Sequence, residues 1–105
     1  MKGNMGKMMK QVQKMQADMA KMQEELEDKT MEASAGGGVV KVVANGKKEI
    51  KEVIIDPQAV DPEDVEMLQD LIISAVNEVL KKVDDMVAEE MQKISGGLNL
   101  PPGLF

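Results

Sequence analysis

The sequence predicts an α+β fold. Residues 1–105 read as a single α-β-β-β-α domain, with a three-stranded antiparallel sheet between two long helices. Three observations carry this reading. An apolar stripe with heptad spacing runs through the first quarter of the chain. A Val- and Ile-rich middle is broken by a Gly triplet and an Asn-Gly pair. A second, longer stripe at helical spacing then comes after an Asp-Pro-Glu-Asp start signal.

The first helix is expected at about residues 4–30. Met5, Val12, Met19 and Leu26 recur every seven residues, and Met8, Met15 and Met22 fall three after the first three of them. Strict a/d spacing makes a narrow seam, which suits one or two partner helices better than a broad core. Copper binding through thioethers needs methionines gathered round one ion, whereas these are spread along five turns. Membrane insertion of such a basic amphipathic helix lacks a Trp or Phe anchor. A promiscuous groove of the calmodulin kind is a third alternative, and nothing else in the chain resembles one. Packing is the favoured role.

Strands are expected at about 31–35, 39–44 and 49–55, with Gly36, Gly37 and Gly38 separating the first two. A four-residue loop over 45–48 pairs Val43 with Ile50, Lys41 with Glu52, Val40 with Val53 and Val39 with Ile54. Like then meets like and Lys meets Glu, so this register is preferred to the two-residue Asn-Gly turn. In that register Val39, Val43, Ile50 and Ile54 line one face, and Val40, Val42, Val53 and Ile55 line the other. Two apolar faces both need cover. The chain's own helices can supply one, and a second copy of the chain is the simplest source of the other. These eight residues are therefore the candidate dimer interface.

The last helix is expected at about 62–94. Asp61 is the expected N-cap, Pro62 the first helical residue, and Glu63 and Asp64 suit the positive helix end. Leu71 to Val83 is apolar most widely around and is expected to be the most buried part. Ser95-Gly96-Gly97 ends the helix, and 96–105 reads as an irregular tail.

Composition excludes several functions. At 105 residues the surface is large relative to the core, and one Phe with no Trp or Tyr leaves that core short of bulk. An elongated or oligomeric protein fits better than a compact globule. With no His and no Cys, imidazole catalysis, thiol chemistry and the usual transition-metal sites are unavailable. Gly36-Gly37-Gly38 leads into a strand rather than a helix and is no phosphate loop. No enzyme activity, cofactor, metal or small-molecule substrate is expected. No segment has the length of a membrane span, and the absence of Cys fits the cytoplasm.

The net charge of −6 speaks against nucleic acid at first sight. Its distribution does not. Residues 1–22 carry five lysines against Asp18 alone, while residues 56–105 carry eleven acids against three lysines. With Met5 at a, Lys7, Lys14 and Lys21 fall at c and Lys10 at f, forming a ridge away from the apolar seam. A dimer presents such a ridge twice, enough to hold DNA through its phosphates. With no Arg in the chain, bidentate guanine readout by that residue is ruled out. The competing reading is an acidic protein–protein adaptor that works through the Met seam or the C-terminal tail.

The segments MMKQVQKMQADMAKMQEEL, GVVKVVANG, IIDPQAV, DVEMLQDLIISAVNE and the closing LPPGLF, in this order, resemble the YbaB/EbfC family of bacterial nucleoid-associated proteins. The resemblance spans nearly the whole chain. It implies a tweezer-like homodimer joined through the sheets, located on the nucleoid in the cytoplasm. It also implies binding to double-stranded DNA with limited sequence specificity and a role in nucleoid organisation or gene regulation. Carried onto this chain, the DNA-contacting role falls on Lys7, Lys10, Lys14 and Lys21, with Lys82 and Lys93 in the last helix as weaker candidates.

Overall fold

The computed structural model describes residues 2–95, and the side chains of residues 6–94. The expected tail at 96–105 lies outside these residues, as does the side chain of Met5. The element order is α1 (Lys2–Asp28), β1 (Thr30–Ala35), β2 (Val40–Asn45), β3 (Ile50–Ile55), a single 3-10 turn (Pro57–Ala59) and α2 (Val65–Ser95). The sheet is antiparallel in the order β1-β2-β3. The molecule is elongated, measuring 74 × 23 × 16 Å.

The core forms where α2 lies on one face of β1 and β2. Ala33, Val40, Val42 and Ala44 of the sheet meet Ala75, Val79 and Val83 of α2, all of them buried. Every one of these side chains is small, so helix and sheet approach closely without an aromatic residue between them. No β3 residue belongs to this core or packs on its margin. The third strand stands at the edge, with Ile50, Val53 and Ile54 exposed.

The β1–β2 turn needs glycine, because Gly36, Gly37 and Gly38 all have left-handed backbone angles, with φ of 65°, 73° and 97°. The β2–β3 connection departs from the expected register. Val40 pairs with Ile55, Lys41 with Ile54, Val42 with Val53 and Val43 with Glu52, after which the register shifts so that Ala44 pairs with Ile50 and Lys51 is left over. From Val40 to Val43 the pairing is therefore displaced two residues from the expected one, and at Ala44 by one. Asn45 is the physical reason. Its side-chain oxygen accepts hydrogen bonds from Lys47 N at 2.9 Å and Glu49 N at 3.1 Å, and its backbone N donates to Glu49 O at 3.0 Å. These bonds close a three-residue loop over 46–48, with Lys48 at φ 63°. They outweigh the few tenths of a kcal/mol to ~1 kcal/mol that each like-with-like cross-strand pair offers. Lys41 finds Glu32 on β1 at 3.2 Å instead of Glu52.

A shift of two residues preserves the faces, so Val40, Val42, Val53 and Ile55 still share one. The opposite face is less apolar than expected: Glu32, Ser34, Lys41 and Glu52 surround Val43 and Ile54 on it.

The same turn holds the end of α1. Asn45 is fully buried and donates from Nδ2 to Glu27 O at 3.2 Å and to Glu49 Oε1 at 2.9 Å. Gly46 N donates to Leu26 O at 2.8 Å and Lys29 O at 3.0 Å, satisfying carbonyls that a helix end leaves free. A Cβ on Gly46 would stand 2.7 Å from Leu26 Cβ and 2.8 Å from Leu26 O. Gly46→Ala is therefore expected to destabilise the protomer by about 1–3 kcal/mol in denaturant unfolding. An unchanged midpoint would show that the turn does not grip α1.

The second helix starts three residues later than expected. Asp61 spends its side chain on Glu63 N at 2.9 Å, and its carbonyl accepts from Asp64 N at 3.0 Å, which closes a turn. Asp64 becomes the cap by accepting from Met67 N at 3.2 Å. From Val65 the helix continues unbroken for 31 residues. Its middle is not uniformly buried: Ala75, Val79 and Val83 are fully buried, but Ile73 is 57% exposed.

The two helices are clamped where they leave the sheet. Lys29 donates to Glu90 at 2.7 Å, and Lys93 donates to the same oxygen at 3.3 Å. The hydrogen bond from Lys29, then that from Lys93, holds the Glu90 carboxyl below its ordinary value of 4.5. A depressed carboxylate contributes stability above its unfolded value, and this is lost as pH falls through the folded one. Between about pH 5 and pH 3, the melting temperature is thus expected to fall less in Glu90→Gln than in the parent. Equal falls in the two proteins would show that the clamp contributes nothing.

Candidate nucleic-acid interface

Beyond the sheet, α1 extends as a basic arm. Lys7, Lys14 and Lys21 lie two helical turns apart, so successive charges stand about 10.5 Å from each other along the axis, with Lys10 beside them. All four side chains are exposed. Few carboxylates lie near the outer three. Lys21 is different, because it lines a shallow cleft between the helices with Asp18, Met22, Glu25, Glu90, Lys93 and Ile94.

The ion pairs divide the lysines into two sets. On the body, Lys29 meets Glu90, Lys41 meets Glu32, Lys47 meets Glu27, Lys48 meets Asp84, Lys51 meets Glu49 and Lys93 meets Glu90, at 2.6 to 4.0 Å. Lys7, Lys10, Lys14 and Lys21 form no ion pair among the described residues. None of the carboxylates in these pairs reaches a lysine of the arm. The two lysines singled out on α2 are engaged within the protomer. Lys93 pairs with Glu90, and Lys82 donates to Glu32 O at 2.9 Å. Lys81, not anticipated from the sequence, is also exposed without an ion pair among the described residues. Only the three-dimensional pairing of its neighbours distinguishes it.

The eight sheet residues considered for the dimer interface separate by burial. Val40 and Val42 have no exposed surface, because α2 covers them. Val39, Val43 and Ile55 are half-buried, while Ile50, Val53 and Ile54 are exposed. The helix adds to this open surface. Leu71 lies over Gly36 and Lys82 over Glu32, so that flank of α2 faces β1. At 3.6 residues per turn, Ile73, Val76 and Leu80 lie on the opposite flank, towards β3. Val53 and exposed Ile73 thus bound an uncovered apolar strip between α2 and the edge strand. The widely apolar run from Leu71 to Val83 leads to the expectation that Ile73 is buried; the sequence carries no sign that α2 would stop short of β3.

No group of three or more His, Cys, Asp or Glu that could hold a metal ion occurs among the described residues. Nor is any helix among them long and apolar enough to cross a membrane.

Comparison with known proteins adds sequence and structural relatives. The profile of the YbaB/EbfC DNA-binding family matches residues 1–98. A nucleoid-associated protein of Desulforamulus reducens is 69% identical over 105 residues, covering 100% of this chain and 99% of that protein. One from Acetivibrio thermocellus is 63% identical over 103 residues, covering 98% of this chain and 91% of that protein. Among solved structures, an uncharacterized protein from Helicobacter pylori superposes with a TM-score of 0.71 at 26% identity, covering 79% of this chain and 87% of that one.

Proposed function

Because the chain belongs to the YbaB/EbfC DNA-binding family, we propose that it acts as a homodimer whose two α1 arms hold double-stranded DNA through the phosphate backbone. The observation that carries this reading is the division of the lysines. Carboxylates pair with six lysines of the body, while the four on the arm form no ion pair among the described residues and stay open to a polyanion. Lysine is a flexible point charge without the planar fork that reads base edges, so it favours phosphate contact with limited sequence preference. The role is nucleoid organisation or gene regulation, in the cytoplasm and on the nucleoid.

The second copy docks against the strip between β3 and α2, with Ile50, Val53 and Ile73 as its anchors. Exposed apolar side chains at a sheet edge favour pairing with another chain. A twofold arrangement also doubles the number of arms. Lys82 and Lys93 contribute less than the arm lysines, because their protomer contacts must be given up first.

Solution mass together with a mobility-shift series in salt tests the reading. The expected result is a dimer whose affinity for duplex DNA falls steeply as salt rises and changes little with sequence. Affinity independent of salt would overturn phosphate contact, and a monomer that binds equally well would overturn the two-armed grip.

A further inference from the structure

Asn45-Gly46 is the one Asn-Gly pair of the chain; Asn4, Asn77 and Asn99 are followed by Met, Glu and Leu. Glycine has no side chain to shield its backbone nitrogen, so in a free chain this asparagine is the one most prone to lose ammonia. The structure keeps both reacting groups occupied. Asn45 has no exposed surface. Its Nδ2 donates to Glu27 O at 3.2 Å and to Glu49 Oε1 at 2.9 Å, while its Oδ1 accepts from Lys47 N and Glu49 N. Gly46 N donates to Leu26 O at 2.8 Å and Lys29 O at 3.0 Å, and the Leu26 side chain closes over the glycine. Leu26 and Glu27 lie in the last turn of α1, and Lys29 follows it directly. The protection therefore depends on α1 and lasts while its end is seated on the turn.

We propose that Asn45 is a latent deamidation site, which reacts when the end of α1 lifts from the β2–β3 turn and whose product keeps it lifted. Freed from the carbonyls of Leu26 and Lys29, Gly46 N gives its proton to hydroxide. Its electron pair attacks Asn45 Cγ, and the new N–Cγ bond closes a succinimide ring. The Cγ–Nδ2 bond breaks, and Nδ2 takes a proton from water and leaves as ammonia. Water then opens the ring. Opening at Cγ gives aspartate, and opening at the backbone carbonyl gives isoaspartate, whose main chain is longer by one carbon. Nothing is oxidised or reduced. Either product opposes the return of α1. In aspartate, an oxygen in place of Nδ2 has no proton for Glu27 O and faces Glu49 Oε1, itself an acceptor. The Glu49 carboxyl is held below its ordinary value of 4.5, first by the bond from Asn45 and then by Lys51, so it is charged at neutral pH. Reseating α1 would press two carboxylates together beside an orphaned carbonyl. Isoaspartate lengthens the turn that Asn45 closes. Fraying of a helix end is a low-energy local opening, so the site turns a reversible motion into a permanent one. The proposal does not depend on the DNA reading.

The test follows deamidation at residue 45 by peptide mass spectrometry, with the full chain incubated in mildly alkaline buffer with and without denaturant. The native rate is expected to be at least about 10²-fold below that of the denatured chain, because reaction waits on a minor open state. Leu26→Ala uncovers Gly46, and Glu90→Gln loosens the clamp on Lys29. Each is expected to raise the native rate by about 10-fold with the circular dichroism of the parent retained. Glu90 lies outside the core, so its variant keeps the test open if Leu26→Ala unfolds. Asn45→Asp reproduces one product. It is expected to remove hydrogen-exchange protection from the last turn of α1 and to retain it at Val79 and Val83. Equal rates with and without denaturant, folded variants that react no faster than the parent, or full protection of that turn in Asn45→Asp overturns the proposal.

Discussion

Replacing Lys7, Lys10, Lys14 and Lys21 together with Glu is expected to abolish duplex DNA binding and leave the dimer folded. Each replacement changes the local charge by two, so the arm turns from strongly basic to strongly acidic. The ridge would then repel phosphates it had attracted. In a dimer eight such lysines face the DNA. If all contact phosphates, the log of affinity falls against the log of salt with a slope of about −7, at roughly −0.9 per contact. Loss of these contacts therefore costs at least about 10³-fold in affinity near physiological salt. Folding is spared because the four side chains are exposed, carry no ion pair among the described residues, and Glu is as good a helix former as Lys. A mobility-shift series with circular dichroism and solution mass checks each part. Binding retained with its salt slope intact would remove the function from the arm. Each single replacement removes two lysines from the dimer and should lower the slope by about two units. Lys21, flanked by Asp18 and Glu25, is expected to matter least.

Val53→Asp combined with Ile73→Asp is expected to turn the dimer into a folded monomer and to weaken DNA binding by about 10² to 10⁴-fold. Both side chains are exposed in the protomer, at 44% and 57%, so the charges enter the proposed interface without entering the core. The large effect on affinity has its origin in geometry. With two linked arms, the second contact forms at high effective concentration once the first is made, and a monomer loses that advantage without losing any lysine. Light scattering measures the mass, and the same salt series measures the affinity. A dimer that persists would show that the strip between β3 and α2 is not the interface. A monomer that binds as tightly as the parent would show that one arm suffices. The opposite pattern, Val79→Asp, would bury a charge under α2 and unfold the protomer, so it cannot stand in for this test.

Much of the architecture was legible because its signals are local. The heptad spacing of Met8, Met15 and Met22 announces a helix whichever partner it meets, and the Gly triplet announces a turn by its backbone freedom alone. The register of β3 was not legible, because Asn45 decides it by hydrogen bonds to Lys47, Glu49 and the end of α1. A side chain that bridges a turn and a helix end leaves no trace in pairwise strand patterns. The start of α2 was misplaced for a similar reason. Asp61 and Asp64 are both good caps, and the turn that occupies Asp61 settles the choice.

The sequence by itself determined the order and type of the elements, the two-sided character of α1 and the position of its lysines. Periodicity and composition act within a few turns of chain, so they survive without knowledge of the fold. Only the tertiary structure decided which lysines stay free, since the pairing of Lys29 with Glu90 joins residues 61 positions apart. It alone decided that α2 covers β1 and β2, which buries Val40 and Val42 and leaves Val53 and Ile73 in water. Charge neutralisation and burial are properties of neighbours in space, and those neighbours are set by where α2 lies on the sheet.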